Sequence, residues 1–212
     1  MNMKSIIQFV ITILLLSLPP LGYTGQYNSI LNIGDTLPAF HDLPSTSGQS
    51  LSSNEIEEDI LVFVSLANHC PWVKGMDKDL VALSHEFKDS SVRIIGLSMN
   101  HRDDDRMPAM KLHAQKTGYN FDYLYNEKQD LGRALGATRT PEYFVFNKAR
   151  KLVYMGALYD SPAKMSSDGS VKHINGEPAT HYVRDAIHAT LDGMPVSIAE
   201  TRAHGCTVKY VQ

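Results

Sequence analysis

Cys70 stands at the seam between an apolar run and an amphipathic one, in "VSLANHCPWVKGMDKDL". The second and last cysteine of the chain, Cys206, lies in "HGCTVKY" near the C-terminus. A thiolate is a nucleophile that cycles through sulfenic acid and disulfide, so two cysteines suffice for thiol redox chemistry. They also suffice for a structural disulfide that reacts with nothing. The seat of Cys70 bears on the choice. "DILVFVSLA" over 59–67 is a continuous valine-rich run, the mark of a strand covered on both faces. After it Val73, Met76, Leu80, Leu83 and Phe87 recur at helical spacing. Cys70 therefore sits where a strand hands over to a helix, and the unpaired N–H groups and positive dipole end of that helix favour a thiolate. Pro71 suits the first helical turn, where a missing N–H costs nothing. Lys74, one turn on, adds positive charge if it points back, and His69 does so when protonated. Trp72 is placed to shield the thiol or to meet a partner, and His85 faces solvent.

Cys206 follows a glycine in a tail, 194–212, that has no helical period. Such a tail is flexible enough to return over the helix carrying Cys70, and loop-closure entropy grows only logarithmically with length. Three fates are open to Cys206: a resolving cysteine, one half of a permanent disulfide, or an unpaired thiol. A metal reading rests on His69, His101, His113, His173, His181, His188 and His204, but no pair has the i, i+4 spacing of a helical site. The charge-mixed run "HRDDDR" at 101–106 reads as a solvated loop.

The elements that position these residues follow from periodicity. Short strands or loops are expected over 33–51, then the 59–67 strand, the Cys70 helix and a second buried strand over 91–99. A helix over 107–117, a strand over 121–125 and a helix over 128–135 come next. "TPEYFVFNKARKLVYMG" reads as a hairpin turning at Asn147–Arg150, followed by a Ser/Gly/Asp loop to about 177. The last helix, 179–191, carries the stripe Tyr182, Ala186, Ile187, Leu191 and stops at Gly193. A β-α-β half joined to a β-β-α half gives an α/β fold, a mixed sheet with helices on both faces.

Hydrophobic residues make up 43% and charged residues 20% of the 212, enough apolar content to bury one core. A net charge of −3 with no long basic run argues against nucleic acid as a partner. No Gly-rich phosphate loop opens a helix, and no cofactor is implied. At the N-terminus Lys4 precedes an apolar run from Ile6 to Leu18, then two prolines and the small residues Gly22, Thr24 and Gly25. As a helix that run rises only about 20 Å, short of the roughly 30 Å hydrocarbon core. The layout is that of a secretory signal over 1–25, with a domain over 26–193 and the Cys206 tail over 194–212. The mature protein is then extracytoplasmic, periplasmic or secreted, with no stable membrane association after cleavage.

A lead-in with Gly34, Pro38, Phe40 and Leu51, then strand, Cys70–Pro71 and helix, then "TRTPEYFVF", resembles the thioredoxin-fold superfamily. Within it the chain is similar to the peroxiredoxin-like branch of the alkyl hydroperoxide reductase/thiol-specific antioxidant (redoxin) group, from about residue 32 to "GCTVKY". The resemblance implies a thioredoxin-like three-layer sandwich with a peroxiredoxin-like insertion, Cys70 as the reactive cysteine and a cis Thr140–Pro141 bond facing it. A cis bond there leaves the Thr140 backbone free to pair with an extended substrate. Asn68, Pro71, Trp72, Lys74, Arg139, Thr140 and Pro141 form the expected surroundings of the thiolate. Val73 stands where thioredoxins have the second cysteine of Cys-x-x-Cys. Phe63 and Ala67 replace the proline and hydroxyl residue of typical peroxiredoxins, so their hydrogen-bond network on peroxide is not carried over.

The implied activity is that of a thiol oxidoreductase acting on a peroxide or a protein disulfide. Cys206 is the candidate resolving cysteine, and an external thiol is the reductant. Two other readings stand beside it. One is a non-catalytic binding or assembly module stapled by a Cys70–Cys206 disulfide; the other is a copper or other metal chaperone. The protein recovered from outside the cytoplasm is expected to lack roughly its first 22–25 residues, as after signal cleavage. N-terminal sequencing checks this, and an intact Met1 would contradict it.

Overall fold

The computed structural model describes residues 25–212; the signal reading of 1–25 lies almost wholly outside the described residues. The central element is β3, Ile60–Leu66, with all of its residues buried. Its side chains alternate between two cores, as the two-residue period of a strand requires. Val62 and Val64 enter one core, Leu61 and Phe63 the other. β4 (Val92–Ser98) and β5 (Asp122–Tyr125) run parallel to β3 on one side. β7 (Glu142–Phe146) pairs antiparallel on the other, and β8 (Leu152–Gly156) pairs with β7. The sheet order is β5-β4-β3-β7-β8.

One face of the sheet is covered by α1 (Pro71–Glu86), α4 (Tyr182–Leu191) and Met110 of α2 (Met107–Thr117). The expected α1 stripe Val73, Met76, Leu80, Leu83 and Phe87 is buried throughout. The other face is closed by Leu131 and Leu135, on and just after α3 (Asp130–Ala134), and by Leu31, Phe40, Leu51 and Ile56 of the lead-in. The lead-in holds two two-residue strands, β1 (Leu43–Pro44) and β2 (Ser50–Leu51). This is the three-layer thioredoxin-like sandwich, with α2, β5 and α3 inserted between β4 and β7.

Three expectations need correction. The Ser/Gly/Asp loop is not plain loop: β9 (Ala163–Met165) and β10 (Val171–His173) form a hairpin against α1. Gly75 permits that contact, since a Cβ there would meet the Ala163 carbonyl at 2.6 Å. In α4 the buried stripe is Val183, Ala186 and Ile187, while Leu191, the last residue of the helix, is exposed. The tail is not a free extension. Its β11 (Cys206–Thr207) pairs antiparallel with β6 (Arg139–Thr140).

Candidate active site

Cys70 is the N-cap residue of α1, in extended geometry, with Pro71 opening the helix as expected. It is completely buried. Its Sγ lies 3.1 Å from the carbonyl oxygen of Thr140 and 2.6 Å from Sγ of Cys206. Both cysteines are free thiols, Cys206 being part-exposed. Burial, then the hydrogen bond and charge of Cys70, push the Cys206 thiol up to about 12. A Cys206 thiol raised this far keeps its proton at neutral pH.

The tail reaches this position through several clips. Cys206 is in register with Thr140, Thr207 with Arg139, and the Val208 N–H donates to the Thr138 carbonyl at 3.0 Å. Beyond the strand, Lys209 N–H donates to Asn100 Oδ1 at 3.2 Å and Gln129 Nε2 donates to the Lys209 carbonyl at 2.9 Å. The Tyr210 hydroxyl donates to the Ala137 carbonyl at 2.7 Å, and the Arg133 guanidinium lies 4.5 Å over the Tyr210 ring. Gly205 passes so close to the Thr140 carbonyl that a Cβ would collide with its backbone.

The receiving strand is shaped by Glu142. Its buried carboxylate accepts the N–H groups of Thr138 at 2.7 Å and Arg139 at 3.0 Å. Burial raises the Glu142 pKa, and those N–H donors offset only part of that rise. Ser65 Oγ ties the same turn to β3 by donating to the Arg139 carbonyl and accepting the Glu142 N–H at 3.0 Å. The Thr140–Pro141 peptide is cis, the geometry the resemblance implies.

The remaining expected residues divide between the sulfurs and their supports. The buried Asn68 donates to the Asp104 carbonyl at 2.7 Å and accepts from the Tyr123 hydroxyl at 2.9 Å, holding the turn before Cys70. Trp72 packs half-buried against the core, with Lys164 Nζ 5.4 Å over its ring. Lys74 lines a surface groove beside His69 and Pro71. Arg139 donates to Thr207 Oγ1 at 2.9 Å, so it clamps the tail. The backbone of Thr140, expected to be free for a substrate, is already paired with Cys206.

Asp105 was not among the expected residues. The run 101–106, read as a solvated loop, contains a 3-10 turn that buries Asp105 completely. Its carboxylate accepts from His69 Nδ1 at 2.6 Å and from the His69 N–H at 3.3 Å. That fixes the imidazole next to Cys70 and leaves Nε2 as its open nitrogen. Three consecutive aspartates offer no local sign of which one turns inward, because the partner lies 36 residues earlier.

Two cysteines at the end of a central strand, one capping a helix and one delivered by a docked strand, define a dithiol site on a thioredoxin fold. The AhpC/TSA family model matches residues 33–155, and the chain belongs to that family. The match ends before the tail that brings Cys206. An uncharacterized conserved protein from Geobacillus kaustophilus is 29% identical, with a TM-score of 0.77 over 90% of this chain and 98% of that one. A hypothetical protein from Sinorhizobium meliloti is 23% identical, with a TM-score of 0.76 over 85% and 96% of the two chains. Peroxidoxin BcpB from Mycobacterium tuberculosis shares the fold at 18% identity and a TM-score of 0.51, over 59% and 84%. None of the curated proteins matches the sequence.

The close approach of Gly205 generates a prediction. A Gly205→Ala substitution is expected to lift β11 from β6 and lower the equilibrium constant for Cys70–Cys206 disulfide formation by tenfold or more, about 1.4 kcal/mol. Thiol titration across glutathione redox buffers measures it. An unchanged constant would contradict the packing described.

Proposed function

We propose that the chain is an exported two-cysteine thiol oxidoreductase, with Cys70 as nucleophile and Cys206 as resolving cysteine. The observation that carries this reading is the 2.6 Å separation of two free sulfurs held by a docked strand. A single sulfur oxidised alone runs the risk of sulfinic acid; a second sulfur already in place prevents it. Membership of the AhpC/TSA family supports the reading. The Lys4 and Ile6–Leu18 pattern supports export.

In the proposed cycle the Cys70 thiolate attacks the distal oxygen of a peroxide. The O–O bond breaks, an alcohol or water leaves after taking up a proton, and Cys70 becomes a sulfenic acid. Cys206 then attacks the Cys70 sulfur; water departs and the disulfide forms. A protein disulfide as substrate gives the same product through a mixed disulfide on Cys70. Because Cys70 has no exposed surface while β11 is docked, the first step needs local undocking of the tail and the second needs its return. An external thiol resets the pair.

Wild type and Cys206→Ser, each given one equivalent of hydrogen peroxide, separate this from a structural staple. The expected wild-type product is a Cys70–Cys206 disulfide that dithiothreitol reduces readily. The mutant is expected to unfold at nearly the wild-type midpoint, to hold sulfenic acid on Cys70 after that one equivalent, and to accumulate sulfinic acid on Cys70 when a second equivalent is added. A midpoint loss equivalent to about 2–5 kcal/mol, with no oxidant-dependent change in thiol count, would favour the staple.

A further inference from the structure

A groove of about 730 Å³ opens between the start of α1 and the β9–β10 hairpin, lined by His69 and Pro71, the two chain neighbours of Cys70. His69, Lys74 and Lys164 are its ionisable lining residues, and no acidic side chain lines it. Asp168, on the hairpin turn nearby, is occupied with the Ser170 hydroxyl and N–H. Among the described residues neither lysine has a carboxylate partner, whereas Lys88 and Lys148 do. This local cationic surface belongs to a chain whose net charge is −3, so the overall charge does not account for it.

Access to the sulfurs points the same way. Cys70 is fully buried, and the backbone edge that an extended polypeptide would use at Arg139–Thr140 is taken by β11. Cys206 is part-exposed, and the Lys164 charge offsets some of the effect of burial on its thiol, while the Asp105 carboxylate, paired with His69, acts in the opposite sense. In the oxidised protein the sulfur within reach of a small thiol is therefore that of Cys206, approached past a cation.

We infer that this groove receives an anionic small thiol, one carrying a carboxylate, which reduces the Cys70–Cys206 disulfide by attacking Sγ of Cys206. The inference rests on the two-cysteine cycle proposed above. The incoming thiolate forms a bond to Cys206 Sγ, the Cys70–Cys206 bond breaks, and Cys70 leaves as a thiolate at the head of α1. A second molecule of the same thiol attacks the mixed disulfide at its own kind of sulfur. Cys206 is released and takes up a proton; the two small thiols leave as their disulfide. Two electrons pass from two thiols to one protein disulfide.

The test uses the full chain oxidised with one equivalent of diamide. Reduction is followed by thiol titration with 3-mercaptopropionate, 2-mercaptoethanol and cysteamine, which are close in size and differ in charge. Each rate is divided by the same thiol's rate with 2-hydroxyethyl disulfide, so that intrinsic nucleophilicity cancels. The expected order is anionic, then neutral, then cationic, with steps of about threefold at low salt that shrink at 0.5 M salt. The Lys74→Glu/Lys164→Glu double variant is expected to reverse the order, and the corresponding double arginine variant to keep it.

Equal normalised rates for all three thiols, or an order unchanged in the double glutamate variant, would overturn the groove as the reductant's docking site while leaving the cycle intact. Failure of diamide to produce any Cys70–Cys206 disulfide would overturn the cycle itself, and this inference with it.

Discussion

The pairing of Cys206 with Thr140 is the contact on which the site depends. In a thioredoxin fold the backbone beside the helix-capping cysteine is an open strand edge, and open edges recruit extended chain. Here the chain supplies its own. Three features make that edge receptive: the Glu142 carboxylate holding two N–H groups, Ser65 tying the turn to β3, and Gly205 allowing backbone contact without a side chain. The tail is fastened further along by Gln129, Asn100 and Tyr210, so the position of Cys206 does not rest on a sulfur–sulfur bond. Two thiols held this way react at a high effective concentration, because the entropy of bringing them together is already spent in folding.

Much of the frame was legible in the sequence, for identifiable reasons. β3 and β4 announce themselves as mostly apolar runs because β3 and most of β4 are covered on both faces. α1 announces itself by a stripe that the structure buries entirely. The strand–cysteine–proline–helix seam and "TRTP" mark the two segments that meet at Cys70. What stayed hidden was pairing between distant segments. Nothing local says that Asp105 turns inward to His69 while Asp103 and Asp104 stay out. Nothing in "HGCTVKY" says that it is a strand, since a two-residue strand is too short to show a period. The β9–β10 hairpin was hidden likewise, its small and polar residues carrying the signature of a loop.

The surroundings of the sulfurs divide into fixed and open parts. Asn68, Asp105, Ser65 and Glu142 are buried and satisfied by specific partners, which makes them holders of geometry. Lys74 and Lys164 border a groove and have no carboxylate partner among the described residues. Arg139 belongs with the first set, through its bond to Thr207. This division follows from burial and hydrogen bonding.

The central claim is that the tail is docked before any disulfide exists. Hydrogen–deuterium exchange of residues 205–211 in the fully reduced protein tests it directly. The Val208, Lys209 and Val211 amides, which have acceptors in the structure, are expected to exchange slowly in the reduced protein, at rates little changed by oxidation. Exchange of those amides at free-chain rates in the reduced protein, with protection appearing only after the disulfide forms, would contradict it.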